Sequence, residues 1–314
     1  MLRYLGRRGL HALVVLWAAF TVSFLILFIV PGDPIAAMLG PEALAQTSPE
    51  QLAALRTEYG VDGPLITQYA NQLFGVLQGD LGKSFRSQAP VATILADAIP
   101  STLILAASAL GLALILGVGL SIAANFTRLG WLRSLLLSLP PIAVSMPTFW
   151  VGLMLLQFIS FRLGLLPAFG SQGLKGLILP AITLAIPTAA IIAQVLSKSL
   201  ATTLAEPYAE VIRAKGAGRF RLHFGHALRN AAIPALTVTG VLVAGIFGGS
   251  VLVETVFSRN GLGLTAATAV ANKDIPVVQG VVLVSALVFV VSSLVVDLLY
   301  PLIDPRIRLK AVKA

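Results

Sequence analysis

Six stretches of this chain contain no Asp, Glu, Lys or Arg, and no other feature of the sequence constrains the fold as strongly. A helix that crosses the hydrocarbon of a bilayer needs roughly 20 mainly apolar residues, and each stretch is long enough. Because no water satisfies open backbone groups within lipid, such segments must be helical. The pattern predicts an all-α integral membrane protein with six transmembrane helices, at residues 9–32, 98–127, 134–161, 176–197, 230–253 and 275–296.

Composition excludes the soluble classes of protein. Hydrophobic residues make up 57% of the chain and charged residues 11%, whereas a soluble domain has about a quarter charged residues. The chain therefore has too little polar surface for a cytosolic enzyme, a disordered protein or a nucleic-acid-binding module. The net charge of +9 does not indicate nucleic acid, because the basic residues lie between the apolar stretches. The absence of Cys excludes a disulfide scaffold and thiolate metal sites.

The basic residues give the predicted orientation. With the N-terminus in the cytoplasm, about 15 of the 22 Lys and Arg residues fall in cytoplasmic segments, as the positive-inside rule requires. The first apolar run is longer than the apolar region of a typical signal peptide, so we expect it to stay as a span. The predicted organisation is a cytoplasmic N-terminus and first helix (1–32), an external segment (33–97), a core of five helices (98–303) and a cytoplasmic tail (304–314).

The external segment has helical signals of its own. Ser48-Pro49-Glu50-Gln51 combines an N-cap, a proline at the first helical position and a capping-box glutamine. Residues 64–77 carry apolar side chains at helical spacing but are too few and too polar to span a membrane. This second helix is expected to lie on the external membrane face or on another protein, or else to pack on the chain's own helices.

The loop at 206–229 is the candidate functional segment. Pro207 suits the start of a helix, and Glu206 and Glu210 lie favourably near its positive end. Gly216 and Gly218 allow a sharp turn, after which a second short helix leads into span five. Such a cytoplasmic projection either docks in a groove of another protein or lies on anionic lipid headgroups.

This loop resembles the EAA signature of bacterial ABC-import permeases, in which a Glu precedes a characteristic Gly by six residues. Glu210 and Gly216 have that spacing, although Val211 and Ile212 replace the two alanines of the signature. Other stretches resemble the same family, at residues 31–34, 59–62, 79–82, 226–230, 253–257, 261–263, 297–300 and 304–308. The chain is identified as a member of the dipeptide, oligopeptide and nickel permease family of ABC importers.

The resemblance implies a type I importer permease with several partners. These are a second homologous permease subunit, two cytoplasmic ATPase subunits that hold ATP and Mg, and an external substrate-binding protein. It also implies localisation in the bacterial inner membrane and no cofactor on this chain, which lacks a Gly-x-x-x-x-Gly-Lys-Ser/Thr phosphate loop. The implied ATPase-coupling residues are Tyr208, Glu210, Arg213, Ala214, Lys215, Gly216, Ala217, Leu228, Arg229 and Asn230.

The predicted function is therefore that of a permease subunit rather than an enzyme, with dipeptides or oligopeptides as cargo. Nickel or a metal chelate is the alternative cargo within the same family. A secondary transporter driven by an ion gradient is the alternative of another class, and it is disfavoured because the interior of the six predicted spans contains no ionisable residue.

Three further groups of residues invite interpretation. The prolines within the spans either line the translocation path at kinks or only shape helix packing, and they are Pro140, Pro147, Pro180 and Pro187. Gly111, Gly117 and Gly119 suit close packing of helices. His223 and His226 have a spacing that a metal can bridge, but the surrounding arginines disfavour a cation, so we predict no metal site.

Overall fold

The computed structural model describes residues 2–29, 34–58, 63–170 and 173–303, and these residues are mainly helical. The predicted tail 304–314 and the family-like stretches at 31–33, 59–62 and 304–308 lie outside the described residues. The α-helices are α1 (Leu2–Ile29), α2 (Pro34–Gln46), α3 (Pro49–Glu58), α4 (Leu65–Leu77), α5 (Val91–Phe126), α6 (Gly130–Ser145), α7 (Thr148–Leu155), α8 (Lys175–Leu204), α9 (Pro207–Ala214), α10 (Leu228–Val256), α11 (Leu262–Ala271) and α12 (Ile275–Ile303). Two π-helical segments, Leu156–Arg162 and Arg221–Ala227, continue α7 and precede α10.

Five helices within the described ranges are long and apolar enough to cross a membrane. They are Arg8–Leu27, Val91–Phe126, Lys175–Leu204, Arg221–Val256 and Ile275–Val295. A sixth span is obtained if Gly130–Ser145 and Thr148–Arg162 count as one, although they are bent by 103°. The apolar stretch predicted as one span at 134–161 is thus divided between two helices, because the chain breaks in its middle.

Pro147 explains the break. It has no backbone N–H to donate, and its ring disfavours the helical conformation of the residue before it. Accordingly, Met146 adopts an extended backbone with φ −83° and ψ 128°, and α7 begins directly after Pro147. The other three prolines proposed as kinks lie inside unbroken helices, Pro140 in α6 and both Pro180 and Pro187 in α8.

The chain divides into two compact units. The first comprises Met1–Ser101 and Asn260–Val290, and the second comprises Thr102–Arg259 and Val291–Ala314. In the first unit the start of α5 packs with α11 and the start of α12 around buried Val91, Leu95 and Val281. A Cβ on Gly280 would lie 2.7 Å from Val91 Cγ1, so glycine permits this close approach of α12 to α5.

The two helices predicted within residues 33–97 form as the sequence indicates. Ser48 and Gln51 exchange the two hydrogen bonds of a capping box, Ser48 N to Gln51 Oε1 at 3.0 Å and Gln51 N to Ser48 Oγ at 3.2 Å. The helix predicted at 64–77 is α4, and it packs on the chain's own first span. The Tyr69 hydroxyl lies 2.9 Å from Thr21 Oγ1, and its ring contacts Phe20 and Phe24.

In the second unit α8 is the central helix. Within its most apolar window 67% of residues are buried, compared with at most 28% in the other four long helices. It packs against α6, α7 and α10. It also packs against α5, where a Cβ on Gly117 would lie 2.8 Å from the Ala189 carbonyl oxygen. A Cβ on Gly111 or Gly119 would contact nothing, so of these three glycines only Gly117 is required by packing.

Candidate functional site: the loop between the fourth and fifth spans

The first half of the loop is a short helix closed by a glycine turn. Pro207 opens α9, and Glu210 lies in its first turn, near the positive end of the helix. The predicted turn is present at Gly216, whose φ of +80° glycine adopts readily and most other residues do not. Gly216 N donates to Arg213 O at 2.9 Å and Ala217 N donates to Ile212 O at 3.3 Å. These two bonds form a Schellman motif, which fixes the direction in which the chain leaves α9.

The second half of the loop differs from the prediction. The sequence predicts a separate short helix, but residues 221–227 form a π-helical segment that runs directly into α10, so that Arg221–Val256 is one continuous helix. The glycine turn is therefore the only interruption between α9 and the fifth span.

Arg219 and His223 attach the loop to the end of α5. Arg219 Nη2 donates to Phe126 O at 2.9 Å, and the guanidinium carbon lies 5.1 Å from the centre of the Phe126 ring. His223 is buried; its Nδ1 lies 2.8 Å from Arg219 O and its Nε2 lies 3.3 Å from Asn125 O. A neutral imidazole has one N–H, so it donates to one of these two carbonyl oxygens at a time.

Asn125 extends this contact to the central helix. Its Nδ2 donates to Ser121 O at 2.9 Å and to Ser197 O of α8 at 3.4 Å. One turn earlier, Ser121 Oγ donates to Ala193 O at 3.1 Å. Polar groups therefore link the loop, the end of α5 and the second half of α8 in a continuous series.

The predicted coupling residues fall into two groups, exposed and half-buried. Glu210, Arg213, Ala214, Lys215, Gly216, Arg229 and Asn230 are exposed, whereas Tyr208, Ala217 and Leu228 are half-buried. Two apolar side chains beside them are also exposed, Val211 at 53% and Phe220 at 68%. The inward face of α9 is closed by the fully buried Ala209. The outward face of the loop thus combines both signs of charge with exposed apolar groups.

The two histidines have separate surroundings. His223 is held between carbonyl oxygens and against the edge of the Phe126 ring, with the ring centres 5.3 Å apart, while His226 is exposed. Among the described residues, no group of three or more His, Cys, Asp or Glu residues is placed to hold a metal ion. His223 has a structural contact that sequence reasoning did not predict.

A buried acidic residue near the end of the fifth span was also missed. Glu254 lies in the last turn of α10 and is fully buried, and its Oε1 accepts a hydrogen bond from Thr102 Oγ1 at 2.7 Å. Arg259 N donates to Glu254 O at 2.8 Å, and the Arg259 side chain is 5% exposed. Burial lowers the pKa of Arg259, and the negative charge of Glu254 opposes this effect. The predicted span ended at Val253, one residue before Glu254, whereas α10 continues to Val256.

Solved structures share the fold of this chain. Two inward-facing crystal forms of the MetNI methionine ABC transporter match with TM-scores of 0.56 and 0.57, at 19% and 17% identity, and each match covers 67% of this chain and 96% of that one. A crystal structure titled as an amino acid ABC transporter with histidines matches with a TM-score of 0.51, at 15% identity. The fold is that of a type I ABC importer permease.

Sequence relatives identify the family. Residues 115–309 match the binding-protein-dependent transport system inner membrane component, and residues 1–106 match the N-terminal region of such components. The glutathione transport system permease protein GsiC of Salmonella typhimurium is 37% identical over 310 residues, which cover 99% of this chain and 100% of that one. The corresponding protein of Escherichia coli K12 is 36% identical over the same length.

The chain belongs to the family of binding-protein-dependent transport system inner membrane components. It is a multi-pass permease subunit of an ABC importer and not an enzyme, as the resemblance of its motifs indicates. Permeases of this class act with ATPase subunits and with binding proteins.

Proposed function

We propose that this chain is the gate of an ATP-driven importer for short peptides, moved through the loop at 206–229. Both termini lie in the cytoplasm. The chain pairs with a second, homologous permease and contacts two ATPase subunits that carry ATP and Mg. An external binding protein delivers the cargo. The chain itself holds no cofactor.

The main support for this proposal is that the loop has an exposed outward face and an inward side that is bonded to α5. Its outward face, with Glu210, Val211 and Arg213 exposed, suits docking on a protein. Its inward side is attached to α5 by Arg219 and His223. A loop that only contacts anionic lipid gains nothing from an exposed acidic residue, so Glu210 favours the protein-docking alternative. A docked and internally attached loop transmits a rigid-body movement to the helices, as a two-state transporter requires.

The translocation path is proposed from the broken third span. Pro147 is exposed at the break between α6 and α7, where backbone groups are freed from helical bonding. Irregular backbone at membrane depth is tolerated where it lines a cavity or is buried in protein. Pro147 is therefore the best candidate for the path, whereas Pro140, Pro180 and Pro187 in unbroken helices are weaker candidates.

The names of the relatives support a peptide cargo. GsiC is named for glutathione, which is itself a short peptide, and it matches this chain along its entire length. In the complete transporter reconstituted in liposomes, we expect ATP-dependent accumulation of a radiolabelled dipeptide. Unlabelled glutathione should reduce this accumulation, and nickel chloride should not. Accumulation of nickel without any peptide uptake would show that the cargo is the metal and not a peptide.

A further inference from the structure

The first unit contains a cavity of about 380 Å³ that the coupling loop does not involve. Its walls are the polar side of α4, the segment 80–85 and the first turns of α12. Ligand pockets in proteins measure roughly 300–1,000 Å³, so this volume suits a small ligand. The polar side chains that line it are Asn71, Gln72, Asp80, Lys83 and Gln279.

Two amide side chains that line the cavity are incompletely hydrogen-bonded by the residues that the structure describes. Gln279 is 7% exposed, and its Nε2 has no hydrogen-bond partner among the described residues. The Oε1 atom of Gln72 is also buried without such a partner. Buried polar groups are normally paired, so a donor and an acceptor that lack partners among the described residues, on two walls of one cavity, indicate a ligand that supplies both complements. A peptide group does so, since its C=O accepts and its N–H donates.

The cavity also has one charge of each sign, from Asp80 and Lys83. Asp80 Oδ1 accepts a hydrogen bond from Gly82 N at 2.8 Å, which orients its carboxylate. An unmodified short peptide has an ammonium group at one end and a carboxylate at the other. The pair of charges and the pair of amides therefore match different parts of one zwitterionic molecule.

The walls of the cavity are held in place by buried contacts. Ser84 Oγ donates to Asp274 Oδ2 at 2.5 Å, and Phe85 N donates to Asp274 Oδ1 at 3.1 Å. Asp274 directly precedes α12, so these bonds attach the segment 80–85 to the start of that helix. A site with fixed walls loses less entropy when it binds a ligand.

We propose that this cavity binds a short peptide by its backbone. The ammonium lies toward Asp80, the carboxylate toward Lys83, and a peptide group is held between Gln72 and Gln279. The choice of a peptide as ligand rests on the proposed cargo. The cavity then binds cargo on the external side of the permease. This binding is separate from the selection of cargo by the binding protein.

The test measures binding of Ala-Ala to the purified full-length permease in phosphatidylglycerol nanodiscs, without ATPases or binding protein. Removing one amide partner should weaken binding roughly three- to tenfold in Gln72→Ala and in Gln279→Ala. Gln46→Ala, which removes an exposed amide at the end of α2, should leave the affinity unchanged. Lys83→Gln changes an exposed side chain and should remove the preference for Ala-Ala over its C-terminal amide.

Equal affinities in all four variants, or no binding by the wild type, would overturn the proposal. So would competition by phosphoethanolamine as strong as that by Ala-Ala itself, because this lipid headgroup has both charges but no peptide group. Peptide uptake by the complete transporter is measured separately. If uptake occurs while the cavity variants bind normally, the cavity proposal fails and the proposed function stands.

Discussion

Gly216→Val is expected to reduce ATP-driven peptide uptake strongly while the chain still inserts into the membrane. Gly216 has a φ of +80° at the Schellman turn that closes α9. A β-branched residue in this left-handed conformation costs roughly 1–3 kcal/mol. The loop relieves that strain by changing its backbone, which turns α9 away from its docking position. Because about 1.4 kcal/mol corresponds to a factor of ten, we expect uptake to fall roughly tenfold or more.

Matched variants distinguish the effect of the backbone conformation at Gly216 from the effect of side-chain size. Gly218 has no positive φ, and a Cβ there would contact nothing, so Gly218→Ala should transport at the wild-type rate. Gly216→Asn should retain most activity, because Asn tolerates the left-handed region. Glu210→Lys changes only an exposed charge and should also uncouple transport. Wild-type uptake by both Gly216→Val and Glu210→Lys would show that the loop does not transmit the movement.

Glu254→Ala is expected to destabilise the protein more than any substitution of an exposed residue. Glu254 is fully buried, accepts a hydrogen bond from Thr102 and opposes the effect of burial on the pKa of Arg259. Leaving the buried Thr102 hydroxyl without its acceptor costs about 1–3 kcal/mol, and the loss of the nearby negative charge leaves Arg259 less compensated. Thermal unfolding of the purified permease, followed by tryptophan fluorescence, should show a clear decrease in Tm.

Two further substitutions distinguish the hydrogen bond from the charge. Glu254→Gln keeps an acceptor for the Thr102 hydroxyl but removes the negative charge beside Arg259, so its Tm should fall between those of the wild type and Glu254→Ala. Thr102→Val keeps the charge and should cost less than Glu254→Ala. A Glu254→Ala protein that unfolds at the wild-type temperature would exclude a stabilising role for this buried acid.

The features that the sequence predicts correctly are those encoded over short distances. Long apolar runs predict the spans, and Ser48 and Gln51 predict their capping box from a spacing of three residues. Gly216 predicts the turn because few other residues adopt its backbone conformation. Each of these depends on local chemistry, so distant contacts do not change it.

The features that were missed depend on tertiary contacts or on one residue at a boundary. Pro147 breaks a span whereas Pro180 lies in an unbroken helix, and both stand within equally apolar stretches. Gly117 packs against α8 although Gly119 contacts nothing, a difference that only the facing helix decides. Glu254 falls one residue beyond the end of an apolar run. The cavity of the first unit joins α4 and the segment 80–85 to the start of α12, which is far away in the sequence, so no local pattern indicates it.

If ATP hydrolysis by a partner subunit moves this permease through the loop at 206–229, α9 must contact that ATPase subunit. Cross-linking from Val211→Cys tests this contact most directly. The chain has no cysteine of its own, and Val211 is 53% exposed in α9, so the new thiol is a unique probe of the docking face. A photoreactive maleimide on this thiol should join the permease to an ATPase subunit in membranes that contain the complete transporter. Val270→Cys, which is 62% exposed in α11, should give no such product and should react with a membrane-impermeant maleimide from outside. Labelling of Val211→Cys from the external side, or no ATPase product from it, would contradict the account.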